Sequence, residues 1–296
     1  MRVGFCGLGV MGGPMAGHLA ARGHAVTVHN RTAAKAEAWL AAHPGGGHAV
    51  APTPRAAAEA SEVVMLCVGN DDDVRAVVLG DDGILAGMRE GGLIVDHTTA
   101  SATVARELAE ACAARGVGFV DAPVSGGQAG AEKGQLTVMC GCDDEATYAR
   151  AEAVIAAYAK ACMRMGGAGS GQLTKMVNQI CIAGIAQGLS EALDFAVRAG
   201  LDADRVVEVI SKGAAQSWQM DNRARTMVRG QFDFGFAVEW MRKDLGICFD
   251  EAARNGSDLS VTRIIDGLYA KVVDRGGRRW DTSSLISLLQ DPPAPR

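Results

Sequence analysis

Aromatic residues are scarce, 5% of 296, against 48% hydrophobic residues overall; this is the balance of an ordinary soluble α/β protein. There is no basic tract, and the net charge is −5, which argues against a nucleic-acid footprint, since that requires a concentrated positive face. No apolar run reads as long enough to span a membrane. The chain opens directly on a strand and its following loop, leaving no room for a signal peptide. None of the 8 cysteines (Cys6, Cys67, Cys112, Cys140, Cys142, Cys162, Cys181 and Cys248) forms a CxxC pair. They read as buried thiols in a reducing cytoplasm, not a disulfide frame. Cys140-Gly-Cys142 has the wrong spacing for a zinc knuckle and no histidine nearby, which argues against a metal site.

The most informative stretch present is Gly7-Leu-Gly-Val-Met-Gly12. A short apolar strand, Val3 to Cys6, runs into it, and an amphipathic helix follows. Gly7 permits the tight turn and Gly9 lets backbone approach a pyrophosphate. Gly12 lets the helix pack on the strand, and the helix N-terminus offers N–H groups to phosphate. A lone GxGxxG is weak evidence; strand before, helix after and a second strand at the expected distance make it a dinucleotide-binding loop.

The first half alternates strand and helix. Strands are predicted at Val3–Cys6, Ala25–His29, Val63–Val68, Leu93–Asp96 and Gly118–Asp121, with a shorter pair at Leu136–Cys140 and Ala161–Met165. Helices are predicted near Met11–Arg22, Thr32–His43, Pro54–Ala60, Asp72–Leu79, Thr103–Arg115 and Asp143–Tyr158. This alternation predicts a Rossmann-type, doubly wound parallel sheet. At Gly166-Gly-Ala-Gly-Ser-Gly171 the character changes, and no strand is predicted beyond it. Apolar residues recur at helical spacing from Gln172 to Ala199 without a proline, predicting a long helix running between two domains. Further helices are predicted near Asp204–Lys212, Met220–Arg229, Met241–Asn255 and Val261–Gly276, and a frayed end at Pro292–Arg296. The expected organisation is a nucleotide-binding domain over 1–165 and an all-α C-terminal domain over 166–296.

The second strand also lacks something. An acidic residue should close it, about 20 residues past the glycines, to bind the adenosine ribose. The strand instead ends in Asn30-Arg31-Thr32. Arg31 can grip a 2′-phosphate and Thr32 can add a hydroxyl, which favours NADP, with NAD possible.

All 6 histidines (His18, His24, His29, His43, His48 and His97) lie in the nucleotide half. Only His97 falls near the carboxyl ends of the strands, and it is expected to point sideways. The acid/base group that carbonyl reduction requires must therefore be something else. Lys175, in the first turns of the long helix beside a glycine loop, is the candidate; burial near a cofactor suits a lysine to proton transfer. Asn178 lies one turn on, on the same face. A second segment, Asp121-Ala-Pro-Val-Ser-Gly-Gly127, exposes successive backbone N–H groups at Ser125, Gly126 and Gly127, a nest able to hold a carboxylate or simply a glycine-rich turn.

With these motifs in order, the sequence resembles the β-hydroxyacid dehydrogenase family, which includes 3-hydroxyisobutyrate dehydrogenases and semialdehyde reductases. The family's GLGxMGxxMA matches Gly7 to Ala16, so Leu8, Val10 and Met11 join the cofactor loop. Its DAPVSGGxxGAxxGxLTxMxGG matches from Asp121, with Cys142 in place of the last glycine; GxGxxxKxxNN matches from Gly169, with Gln179 in place of the last asparagine; KDL matches Lys243 to Leu245. The resemblance implies Lys175 as acid/base, and Ser125, Gly126 and Gly127 on the substrate carboxylate. It implies Asn178 orienting the substrate, Phe236 shaping the pocket, Thr99 by the nicotinamide, and Lys243 with Asp244 at the cofactor. His97, and Ala102 where the family often has proline, depart from the pattern. The family usually forms homodimers or homotetramers.

The expected activity is an NADP-preferring oxidation of a small β-hydroxyacid, or reduction of the matching aldehyde acid, in the cytoplasm, with no nucleic-acid or membrane partner. Rival readings are an imine reductase, which usually carries aspartate or tyrosine at the lysine position, and a non-catalytic dehydrogenase-like module, which has lost that lysine. A 6-phosphogluconate dehydrogenase is much longer and would need more basic residues, such as Arg223 or Arg225, on a phosphate. Gln216, Trp218 and Met220 are expected to make a bulky wall at the far end of the pocket.

Overall fold

Along three neighbouring strands Val3, Phe5, Val63, Met65, Leu93 and Val95 pack into one apolar cluster, while Cys6, Val64, Leu66 and Ile94 pack into another. A strand buried on both faces needs helices on both faces, which is the condition for a parallel sheet. The computed structural model describes residues 1–290 in these terms; the end expected to fray, Pro292–Arg296, lies outside the described residues.

The chain divides into two units, Met1–Lys175 and Met176–Arg296. The first runs β1 (Arg2–Cys6), α1 (Gly12–Ala21), β2 (Ala25–His29), α2 (Ala33–Ala42), β3 (Ala49–Val50), α3 (Pro54–Glu59), β4 (Val63–Leu66), α4 (Asp71–Leu79), α5 (Ile84–Gly87), β5 (Leu93–Asp96), α6 (Ala102–Ala113) and β6 (Gly118–Asp121). It continues through β7 (Val124–Ser125), α7 (Gly127–Glu132), β8 (Leu136–Gly141), α8 (Glu145–Ile155) and β9 (Ala159–Gly166) into α9 (Ser170–Arg198). The sheet order is β3-β2-β1-β4-β5-β6-β8-β7, with β9 on β8. β1 to β6 are mutually parallel; β8 lies antiparallel to β6 and β7 and parallel to β9. Strand order reverses between β1 and β4, where dinucleotides bind in folds of this kind.

The second unit holds the remainder of α9, then α10 (Ala203–Ile210), α11 (Trp218–Val228), α12 (Val238–Asn255), α13 (Ser260–Asp274) and a 3₁₀ turn, Thr282–Leu288. No strand is found in it among the described residues. Ala183, Ala186, Val238, Met241, Leu245, Ile265 and Tyr269 form one core, and Leu189, Leu193, Met220, Ala224 and Met227 a second.

Two expectations need correction. β4 stops at Leu66, short of the predicted Val68, because the Val68 N–H donates to the Thr98 hydroxyl (3.0 Å) instead of a neighbouring strand. And one apolar helix is long enough to cross a membrane: α9 spans 29 residues, with mean hydropathy 1.4 over its most apolar stretch. Its apolar residues Ala183, Ala186, Leu189 and Leu193 are spent on the cores of the second unit.

Candidate active site

At the first turn of the fold, Gly7 has φ +97°, and a Cβ there would overlap the Cys67 carbonyl; a Cβ on Gly12 would overlap the Gly7 carbonyl. Gly9 is different. A Cβ there would meet nothing, so the backbone faces open space where a pyrophosphate fits. No side chain caps α1, Pro14 in its first turn has no N–H, and the Gly13 N–H turns back to the Gly9 carbonyl (3.0 Å), so what the loop offers a phosphate is the positive end of the helix. Leu8 is buried and Val10 exposed, with Met11 between them packed on the core. The Leu8 N–H donates to Asn30 Oδ1 (2.9 Å), which ties the loop to the end of β2. Arg31 follows, its side chain 91% exposed and only loosely paired with Asp73 at 3.5 Å, so it is available to a 2′-phosphate at small cost. Thr32 opens α2 without spending its hydroxyl as a cap. These residues fit a dinucleotide.

Lys175 lies near the start of α9 and is buried. What fixes the start of that helix is a carboxylate that the sequence reading quoted but gave no role. Asp121 closes β6, fully buried; its Oδ1 accepts from the Gly169 N–H (2.7 Å) and its Oδ2 from the Gln172 N–H (2.9 Å). Burial pushes its pKa up to about 7 against these hydrogen bonds. Glycine at 141 and 171 is forced there, since a Cβ on either would overlap Asp121. The signal was available: an acid ending a parallel strand, followed later by a glycine-rich loop with N–H groups to spare.

Beyond Asp121, Ser125 and Gly126 are half-buried, and Gly126 and Gly127 have φ +128° and +59°. These are conformations that L side chains rarely adopt and that turn successive N–H groups the same way.

Within the second unit four polar side chains form a chain. Asn178 Nδ2 donates to Gln179 Oε1 (2.8 Å), Gln179 Nε2 donates to Asp244 Oδ2 (2.6 Å), and Lys243 Nζ lies 3.0 Å from Asp244 Oδ1. Gln179, the departure from the family's second asparagine, is thus the bridge that reaches Asp244. Phe236 packs against the core of this unit, and its N–H donates to Asp281 Oδ2 (2.9 Å). Asp281 also takes Arg223 (3.1 Å), whose guanidinium lies over Trp218 (4.7 Å) and Phe234 (4.8 Å). Arg223 is therefore committed to Asp281, not a phosphate. Met220 is buried in the core and cannot form the predicted wall; Trp218 is exposed, stacked on Arg223.

The histidines serve structure. His97 is fully buried. Its Nδ1 lies 2.7 Å from the Ala122 carbonyl and must donate, so Nε2 accepts from the Tyr158 hydroxyl at 2.7 Å. Burial holds its pKa down at about 4. The cysteines are not uniformly buried: Cys67 and Cys162 are half-buried and Cys181 is exposed.

A glycine loop at the switch point of a doubly wound sheet, followed by an all-helical unit, defines an NAD(P)-dependent oxidoreductase. Comparison with known proteins agrees. The family described as the NAD binding domain of 6-phosphogluconate dehydrogenase matches residues 2–167, and the one described as NAD-binding of NADP-dependent 3-hydroxyisobutyrate dehydrogenase matches 169–289. The chain belongs to the β-hydroxyacid dehydrogenase family. It is 58% identical to an uncharacterized oxidoreductase of Shewanella frigidimarina over 98% of each chain. It is 33% identical to the 2-hydroxy-3-oxopropionate reductase of Escherichia coli over 98% of this chain and 97% of that one. Among solved structures it is similar to Mycobacterium tuberculosis 3-hydroxyisobutyrate dehydrogenase with L-serine. The TM-score is 0.86 at 30% identity, covering 98% of this chain and 99% of that one.

Proposed function

We propose that the chain is a cytoplasmic, NADP-preferring oxidoreductase acting on a small β-hydroxyacid or the matching aldehyde acid. The observation that carries the reading is Lys175, a buried amine at the start of a helix whose first turn is tied down by the buried Asp121 side chain. When bound, the nicotinamide accepts or supplies hydride at C4. Lys175 gives a proton to the alkoxide oxygen as an aldehyde is reduced and takes it back as the alcohol is oxidised. Ser125, Gly126 and Gly127 hold the substrate carboxylate, Asn178 orients the substrate, and Phe236 shapes its surroundings. Gly7, Leu8, Gly9, Val10, Met11 and Gly12 receive the pyrophosphate. Asn30, Arg31 and Thr32 receive the adenosine ribose and its 2′-phosphate, and Thr99, Lys243 and Asp244 complete the cofactor site. The similarity to a family described as NADP-dependent and the absence of an acid at the end of β2 support NADP.

The test is loss of reduced-cofactor absorbance with NADPH and, separately, NADH, on glyoxylate, succinic semialdehyde, methylmalonate semialdehyde and tartronate semialdehyde. NADPH-preferring turnover that falls by about 10²- to 10⁴-fold in Lys175→Ala is expected, the span typical of a positioned acid/base group. Activity surviving in that variant removes Lys175 from the role; an NADH preference overturns the Arg31 reading alone.

A further inference from the structure

The turn after β5 is held by a side chain from α9. Gln172 is buried, 1% exposed. Its Nε2 donates to the Thr98 carbonyl (2.7 Å), and its Oε1 accepts from the Ala100 N–H (3.0 Å). One carboxamide thus engages the backbone on both sides of Thr99. Thr98 is pinned from the other directions: its N–H donates to Asp96 Oδ1 (2.8 Å), and its hydroxyl oxygen accepts from the Val68 N–H (3.0 Å). The Gln172 backbone is anchored in turn on Asp121. Lys175 follows three positions later on the same helix, hence on a neighbouring spot of the same face.

We propose that Gln172 is a positioning residue that sets Thr99 and Lys175 in fixed register, so that the group beside the nicotinamide and the group that moves the proton are aligned together. This rests on the roles proposed above for Thr99 and Lys175. A primary amide is needed because the turn presents a carbonyl and an N–H to the same side chain. Glutamate keeps the acceptor but not the donor, and methionine keeps the volume but neither. The reason the alignment matters is geometric: a displacement of about 1 Å at a reacting group costs on the order of 10²-fold in rate.

The experiment compares wild type, Gln172→Met and Gln172→Glu by three readouts. The first is hydrogen exchange of the Ala100 amide, which needs neither cofactor nor turnover. The second is the NADPH dissociation constant from cofactor fluorescence, and the third is kcat and KM on whichever acid the wild type uses. In Gln172→Met the Ala100 amide is expected to exchange at least about 10-fold faster. In Gln172→Glu, which retains the acceptor, it stays protected. In both variants kcat falls about 10- to 100-fold while KM and NADPH affinity stay within about threefold. If Gln172→Met does not fold, Gln172→Glu alone decides. Unchanged kcat in Gln172→Glu overturns the proposal, as does a loss that resides in KM, and so does an Ala100 amide that exchanges as fast in wild type as in Gln172→Met. A wild type that turns over nothing on the panel overturns the proposed function instead, and the Ala100 exchange still reports whether Gln172 holds the Thr99 turn.

Discussion

At the scale of single residues, His97 shows how burial reassigns a group whose chemistry suggests catalysis. Its folded pKa of about 4 lies below the ordinary 6.5, so between these values the unfolded chain binds the extra proton. The stability it contributes is complete above about pH 6.5 and is lost as pH falls toward about 4, by up to about 3 kcal/mol. Asp121 works oppositely: raised to about 7, it binds a proton in the folded state, so its contribution declines as pH rises from the ordinary carboxylate range. The expected outcome is that His97→Asn has a lower Tm than wild type near neutrality but a smaller loss of Tm on acidification to about pH 4.5, as read by differential scanning fluorimetry. Equal slopes for the two proteins would remove His97 as the source. The sequence placed His97 at the right end of the strand. It could not show the Tyr158 hydroxyl beside it, because that tyrosine arrives from a segment 61 residues away. The same distance hid the work of Asp121 and Gln172, whose partners lie 48 to 74 residues off in sequence.

At the scale of elements, the long periodic segments were legible and the short ones were not. Ala25–His29, Leu93–Asp96 and Gly118–Asp121 match the predicted strands. A pattern needs several residues to declare its period, and β3 and β7, with two residues each, have none to show. α5 and α7 go unpredicted for the same reason; α7 begins on a glycine pair that reads as a turn. The loop between β1 and α1 offers a sharp contrast between two of its glycines. Gly12→Ala is expected to destabilise the fold, since its Cβ would overlap the Gly7 carbonyl. Gly9→Ala should leave the Tm within about 2 °C of wild type while weakening NADPH binding at least about 10-fold, since its Cβ would fill only the space open to a pyrophosphate. Thermal melts alongside cofactor fluorescence titration separate the two. If Gly9→Ala binds NADPH normally, the phosphates lie elsewhere.

At the scale of the whole molecule, several large apolar side chains stay in water in a single chain: Phe195 is 72% exposed, with Val209 at 68% and Val261 and Ile264 at 66% each. We propose that a homodimer or homotetramer, the assembly the family resemblance implies, gives such residues a use. Analytical ultracentrifugation should find a dimer or tetramer, and Phe195→Asp with Ile264→Asp should shift the distribution toward monomer without unfolding the chain; a monomeric wild type would refute the assembly. The glycine run near 166–171 signalled in the sequence that strands give way to helices. Where the units part, after Lys175, follows from Asp121 and Gln172 holding the opening turn of α9 within the first unit. The lysine proposed to move the proton thus packs with the first unit although the family match over 169–289 includes it with the helical half. A crossover between related genes at the joint of the two family matches, before residue 169, would carry Lys175, Asn178, Phe236 and Lys243 across in one piece, so the proton-transfer group would stay matched to its substrate-side neighbours while the cofactor loop came from the other parent.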